Sequence, residues 1–265
     1  MKSKLEYASH KTSQIIFLSF LVLFCMIVTA TAVNFFTQGA LVDWLSRFDK
    51  TAIIQEETDN ALVIGMAAPV TSVHPLNFEF QNRLALNNVY EGLVALDPSL
   101  QVKQALAITF GQLDDLTWEF RLREGVKFHN GAELSGNDVI KSFRSAMEDE
   151  SSQLTSVLSN IDDIRAQSGK IQIITKKPDP TFLHKLATVY LYKEYENDEI
   201  YGTGPYVLDG RSENEVMLTR FEDYWGTIPD SEEVVFTYIQ DKAKRLGLFS
   251  EGEIDILRNV PSPLG

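Results

Sequence analysis

Residues 117–143 read TWEFRLREGVKFHNGAELSGNDVIKSF, and in order they spell a strand, a turn and a capped helix. Trp118, Phe120 and Leu122 alternate with Thr117, Glu119, Arg121 and Arg123, the pattern of a strand with one buried face. Gly125 and the Asn130-Gly131 pair then mark turns. Ser135 followed by Asp138 is a capping-box signature, and Val139, Ile140, Phe143 and Met147 recur at helical spacing on one side. His129 has no second His, Cys or paired carboxylate at a metal-binding spacing nearby, so it reads as a packed or turn-bonded histidine.

Outward from this corner, strand and helix signals alternate, as an α/β body of mixed sheets and covering helices requires. Strands are expected at residues 61–66, 170–175, 215–221 and 234–239, and helices at 83–93, 180–187 and 242–250. Residues 148–180 read as a subdomain inserted beside the main sheet. The acidic runs Glu148-Asp149-Glu150 and 194–199 read as solvated faces or loops.

Composition bounds the chemistry. The chain has 265 residues, 44% hydrophobic and 23% charged, enough for one large or two smaller domains. A formal net charge of −13 argues against electrostatic binding of nucleic acid or an anionic membrane surface, because both would repel an acidic body. Cys25 is the single cysteine, so no intrachain disulfide forms, and four scattered histidines give no zinc constellation. No cofactor or metal is called for. The sequence contains no G-x-S-x-G elbow, no Cys-His pairing, no H-E-x-x-H and no phosphate loop, and Gly202-Thr203-Gly204 runs into Pro205 without the third glycine of a dinucleotide site. These absences argue against an enzyme.

The amino terminus carries a different signal. No charged residue lies between Lys11 and Asp43. As a helix the apolar run would extend roughly 33 Å, enough to cross a bilayer core of about 30 Å. Lys2, Lys4 and Lys11 precede it and mixed charges follow, which places the amino terminus in the cytoplasm and the body outside. Ala30-Thr31-Ala32 offers a signal-peptide cleavage site, but the apolar stretch continues through Val33, Phe35 and Phe36, which favours a retained anchor. Leu23 and Phe24 before Cys25 differ from the small residues of a lipoprotein site. The expected organisation is a cytoplasmic terminus at 1–14, a membrane helix or signal peptide at 15–37, a juxtamembrane tether at 38–60 with Trp44, Leu45 and Phe48 at the interface, and a folded body at 61–265.

The wording F-x-L-R-x-G-V-K-F-H-x-G, followed by D-V-x-x-S-F, resembles the signature of family 5 solute-binding proteins of ABC importers. Further segments match in order: ALVIGMAAPVTSVHPLN at 61–77, NVYEGLVALD at 88–97, YGTGPYV at 201–207, DYWG at 223–226 and LGLFSEGEIDI at 246–256. The resemblance implies lobe I of a class II periplasmic-binding-protein clamshell that closes on a peptide or other small solute and delivers it to ABC permease subunits. It also implies that solute contacts come from Thr71, Ser72, His74, Asn77 and Phe78 in one loop and from Tyr201, Gly202, Thr203 and Gly204 near the hinge. Members of the family continue well beyond the matched segments into a second lobe, so the sequence reads as an incomplete domain. A lone lobe cannot close, which leaves an anchored sensory or interaction module as the alternative to transport.

Overall fold

The computed structural model describes residues 61–195 and 199–258. The expected membrane helix at 15–37 and the tether lie outside these residues, and among the described residues no helix is long and apolar enough to cross a membrane.

The chain enters on β1 (Ala61–Met66) and, after a long loop, forms the short helix α1 (Phe80–Leu86). The expected helix at 83–93 is therefore shifted and shortened. Its last turn tightens, with Asn88 N–H bonding to Ala85 O and Val89 N–H to Leu86 O, and by Glu91 the chain is extended and bridged to Leu191. Asn87, Asn88 and Gly92 supply the weak helix formers that permit the break.

A small hairpin follows, β2 (Val94–Leu96) and β3 (Val102–Gln104), then the pair β4 (Ala107–Gln112) and β5 (Thr117–Leu122). Phe120 and Leu122 turn inward from β5, as the alternation predicts. The chain next builds α2 (Gly136–Glu148) and α3 (Gln153–Val157). At the start of α2 the Ser135 N–H and hydroxyl both donate to Asp138 Oδ2, at 2.9 and 2.6 Å, and Lys193 Nζ lies 3.3 Å from the other carboxylate oxygen. Val139, Phe143 and Ala146 from α2 are fully enclosed over the sheet.

That sheet is completed by β6 (Ile161–Gln167) and β7 (Lys170–Thr175), in the order β4-β5-β7-β6. The 148–180 segment thus lies in a sheet of its own apart from the main one, but shares that sheet with β4 and β5 instead of forming an insertion by itself. Ile171 and Ile173 on β7 need the same apolar cover as Phe120, and they obtain it by pairing β7 antiparallel to β5.

After α4 (Phe182–Leu186), β8 (Lys193–Glu194) and β9 (Ile200–Tyr201) form a small pair. The chain then returns to β1 through β10 (Tyr206–Arg211), β11 (Glu215–Arg220) and β12 (Glu233–Tyr238). Helix α5 (Lys242–Glu251) is capped by Asp241, whose carboxylate accepts the Lys244 N–H at 2.6 Å, and leads to β13 (Ile256–Leu257). The resulting mixed sheet has the order β10-β11-β12-β1-β13, parallel only where β1 meets β12 and β13. Val234, Val235 and Phe236 are buried in succession because β12 is central and covered on both faces. Each sheet therefore has its own apolar core, one centred on Phe120, Phe143 and Ile171, the other on Met66, Leu86 and Phe236.

Candidate functional site

The loop from residue 67 to 79 leaves the carboxyl end of β1, the side of an open α/β sheet where ligands gather. Fully buried Asn82 on α1 reaches back to shape it. Its Oδ1 accepts the Thr71 N–H at 2.7 Å and the Ser72 N–H at 3.3 Å, while its Nδ2 donates to Asn77 Oδ1 at 2.7 Å and Thr71 Oγ1 at 3.0 Å. Asn82→Ala should orphan these groups and destabilise the body by about 2–4 kcal/mol. Urea titration of the full chain measures it; an unchanged midpoint would show that the loop holds itself.

Between this loop and the turn that follows α2 lies a cavity of about 310 Å³, lined by Ser72, His74, Asn77, Phe78, Glu79 and Asp149, with Leu76, Ser151, Ser152 and Gln153 completing it. His74 Nδ1 accepts the Leu76 N–H at 3.2 Å, and its ring meets Tyr192 edge-on at 6.1 Å. Phe78 is held from behind by the Arg83 guanidinium, 5.2 Å from its ring centre and sandwiched against Tyr190 at 4.2 Å. Burial lowers the Arg83 pKa and raises that of Tyr190 to about 12. Asp149 sits below the usual carboxylate range, first because Ser151 hydrogen-bonds to it and also because His74 is nearby.

Four of the five loop residues named from the sequence therefore line one cavity. Thr71 stands beside it, with its hydroxyl on Glu79 Oε2 at 2.8 Å. Glu79, Asp149 and Ser151 were not among the expected contacts. Asp149 was hidden in an acidic run, and the signal that marks it is the Asp-x-Ser turn feeding the cap of α3.

Tyr201, Gly202, Thr203 and Gly204 do not join this cavity. Gly202 and Gly204 press against the backbone of residues 88 and 89, with the Tyr90 ring also against Gly202, and the Gly204 N–H bonds to Val89 O at 2.9 Å. Buried Thr203 donates to Glu91 Oε2 at 3.0 Å. Tyr201 meets Tyr195 edge-on and bonds to Glu199 through its hydroxyl at 2.8 Å. Glu91 also accepts Trp225 Nε1–H at 2.8 Å and the Tyr224 hydroxyl at 2.9 Å, and Arg123 lies 4.0 Å over the Trp225 ring. Burial raises the Glu91 pKa against the pull of these donors and of Arg123.

His129 closes the same junction. Its backbone N–H bonds to Gly202 O at 3.0 Å, its Nε2 lies 3.1 Å from Gly204 O, and its ring packs on Phe221. It is the packed histidine that the sequence suggested. Desolvation lowers its pKa from 6.5 to about 4, so the folded state holds the proton less tightly than the unfolded one. Stability from neutral His129 is complete above about pH 6.5 and is lost as pH falls toward 4, on the order of 3 kcal/mol in all. His129→Gln should flatten that acid limb in denaturation curves between pH 4 and 7; an unchanged slope would contradict the assignment.

Comparison with known proteins places this arrangement. The model for bacterial extracellular solute-binding proteins, family 5 Middle, matches residues 101–264. The chain belongs to this family. The nickel-binding periplasmic protein of Escherichia coli (strain K12) is 29% identical over 223 residues, covering 74% of this chain and 43% of that protein. The glutathione-binding protein GsiB of Salmonella typhi is 24% identical over 216 residues, covering 76% and 42%. The crystal structure of NikA from Staphylococcus aureus in complex with Ni(L-His)2 superposes with a TM-score of 0.67 at 25% identity, covering 76% of this chain and 44% of that one. The chain thus spans less than half the length of the curated relatives it matches. The fold is that of the periplasmic-binding-protein-like proteins, and the nickel-binding and glutathione-binding relatives are binding proteins by name.

Proposed function

We propose that this chain supplies the first lobe of an extracytoplasmic solute-binding subunit of an ABC importer, with peptides as its solutes. The observation that carries the reading is the polar cavity between the 72–79 loop and the 149–153 turn in a member of this family. Such a cavity offers hydrogen-bonding groups of both kinds with one aromatic wall, which suits a flexible polar solute. The glutathione-binding relative takes a peptide solute. In this reading the apolar run at 15–37 tethers the body outside the cytoplasmic membrane, where it meets permease subunits.

A second reading is favoured by the nickel-binding relatives, in which the solute is a nickel chelate. Ligand-observed NMR on the full chain in detergent, with tripeptides in one arm and Ni(L-His)2 in the other, separates them. Peptide binding without chelate binding is the expected result. The reverse selects the chelate, and silence in both arms selects an anchored interaction module.

A further inference from the structure

Phe78 is the aromatic wall of the cavity, and a cation stands behind it. The Arg83 guanidinium lies 5.2 Å from the centre of the Phe78 ring and 4.2 Å from that of Tyr190, so the three side chains form a stack. Arg83 is half-buried and does not line the cavity. Of the Phe78 ring, the cavity therefore meets the surface that the guanidinium leaves free.

The far end of the stack is fixed. Tyr190 is buried, with its hydroxyl donating to Asn87 Oδ1, and Arg83 Nη1 donates to Thr188 O at 3.0 Å. Among the described residues Arg83 forms no ion pair with a carboxylate. Desolvation is the largest influence on it and lowers its pKa. The fold thus keeps a guanidinium partly out of water with two ring faces and one carbonyl as its partners. A methionine would fill the same gap between the rings without that cost, so a purely structural strut does not need the charge. What the charge adds falls on Phe78. A cation over one face of a benzene ring draws on its π electrons and leaves the rest of its surface electron-poor, and an electron-poor ring stacks best on an electron-rich one.

We propose that Arg83 is a positioning residue for solute selection: it holds and polarises the Phe78 ring, which then receives an aromatic side chain of the peptide in preference to an aliphatic one. The proposal rests on the peptide reading above.

The test is ligand-observed NMR titration of the full chain in detergent with Ala-Phe-Ala and Ala-Leu-Ala, and with Ala-Phe-Ala carrying a 4-methoxy or a 4-nitro group on its ring. The parent chain is expected to bind Ala-Phe-Ala about 5-fold more tightly than Ala-Leu-Ala, and the methoxy peptide more tightly than the nitro peptide. Arg83→Met should leave the affinity for Ala-Leu-Ala within about 2-fold while flattening both preferences, and Phe78→Leu should abolish them. Arg83→Lys keeps a charge over the ring and should retain the methoxy-over-nitro order; a lysine variant as flat as the methionine one would take the effect away from charge and overturn the proposal. Loss of affinity for every peptide alike in Arg83→Met would make Arg83 a structural strut and also overturn it. Should Arg83→Met not fold, the methoxy and nitro peptides on the parent chain decide, and equal binding of the two sinks the polarised ring. Equal binding of Ala-Phe-Ala and Ala-Leu-Ala to the parent overturns the aromatic assignment alone. Failure of every peptide to bind overturns the peptide reading and the assignment together.

Discussion

Replacing Gly202 by alanine is expected to destabilise the body by at least about 3 kcal/mol, a large fraction of the roughly 5–15 kcal/mol that holds an ordinary domain folded. A Cβ at that position would stand 2.0 Å from the Val89 carbonyl oxygen and 2.8 Å from Tyr90 Cδ1. Neither can retreat. Val89 O is engaged by the Gly204 N–H at 2.9 Å, and Tyr90 is only 3% exposed, with its hydroxyl on Val73 O. Moving the Gly202 side instead would break the His129 N–H bond to Gly202 O. The tightest clash is of the new Cβ with a backbone carbonyl, so rotamer changes offer no relief. Gly247 is the matched control, since it lies inside α5 and a Cβ there meets nothing within 4 Å. Gly247→Ala should stabilise by about 0.5–1 kcal/mol through helix propensity alone. Urea denaturation followed by tryptophan fluorescence reads both variants, and a Gly202→Ala midpoint equal to that of the parent would sink the close-packing argument.

The same junction shows how far the sequence could be read. Period-two alternation at 117–122 and the Ser135–Asp138 signature announced β5 and α2 because both patterns are local. β7 was legible for the same reason, its β-branched run ending where the strand ends. The partnership of β7 with β5 was not, since nothing in either segment states its neighbour. Helix α1 was misplaced because apolar spacing from Arg83 to Leu93 persists after the backbone has left the helix, and the later apolar residues serve an extended segment. The cavity was half legible. Resemblance points to the 71–78 loop, whereas Asp149 arrives from beyond α2, in a charge run that is solvated as expected and of which this one member also lines the cavity. The resemblance implies solute contacts from Gly202, Thr203 and Gly204; in the described structure these residues pack against residues 88–91, more than a hundred positions away in sequence for the Thr203–Glu91 bond. A turn motif in a sequence states its conformation and says nothing of whether it faces a ligand or another strand.

Glu91→Leu should cost about 3–5 kcal/mol, because the side chain it removes is the common acceptor of Thr203, Tyr224 and Trp225. A leucine fills much of the same volume but leaves three donors unpaired and Arg123 without its nearby counter-charge. Tyr90, its neighbour on one side, belongs to the core of the mixed sheet, and Leu93 belongs to the core of the four-stranded sheet, so the loss falls where the two cores are joined. Glu91→Gln separates the charge from the hydrogen bonds. A carbonyl oxygen in place of Oε2 keeps Thr203 and Trp225, and the amide can donate to a Tyr224 hydroxyl that has rotated to accept it, so this variant is much milder than leucine. Its pH behaviour is the sharper test. Burial raises the Glu91 pKa, so the folded state binds that proton more tightly than the unfolded state does, and stability falls as pH rises from about 4.5 through the raised value. The glutamine variant lacks this limb. Relative to the parent it should therefore fare best near pH 8 and lose ground toward pH 5, and because His129 titrates alike in both chains its contribution cancels in the difference. A difference that stays flat across that range would mean Glu91 keeps an ordinary carboxylate titration despite its burial, and that its three donors and Arg123 offset the desolvation in full.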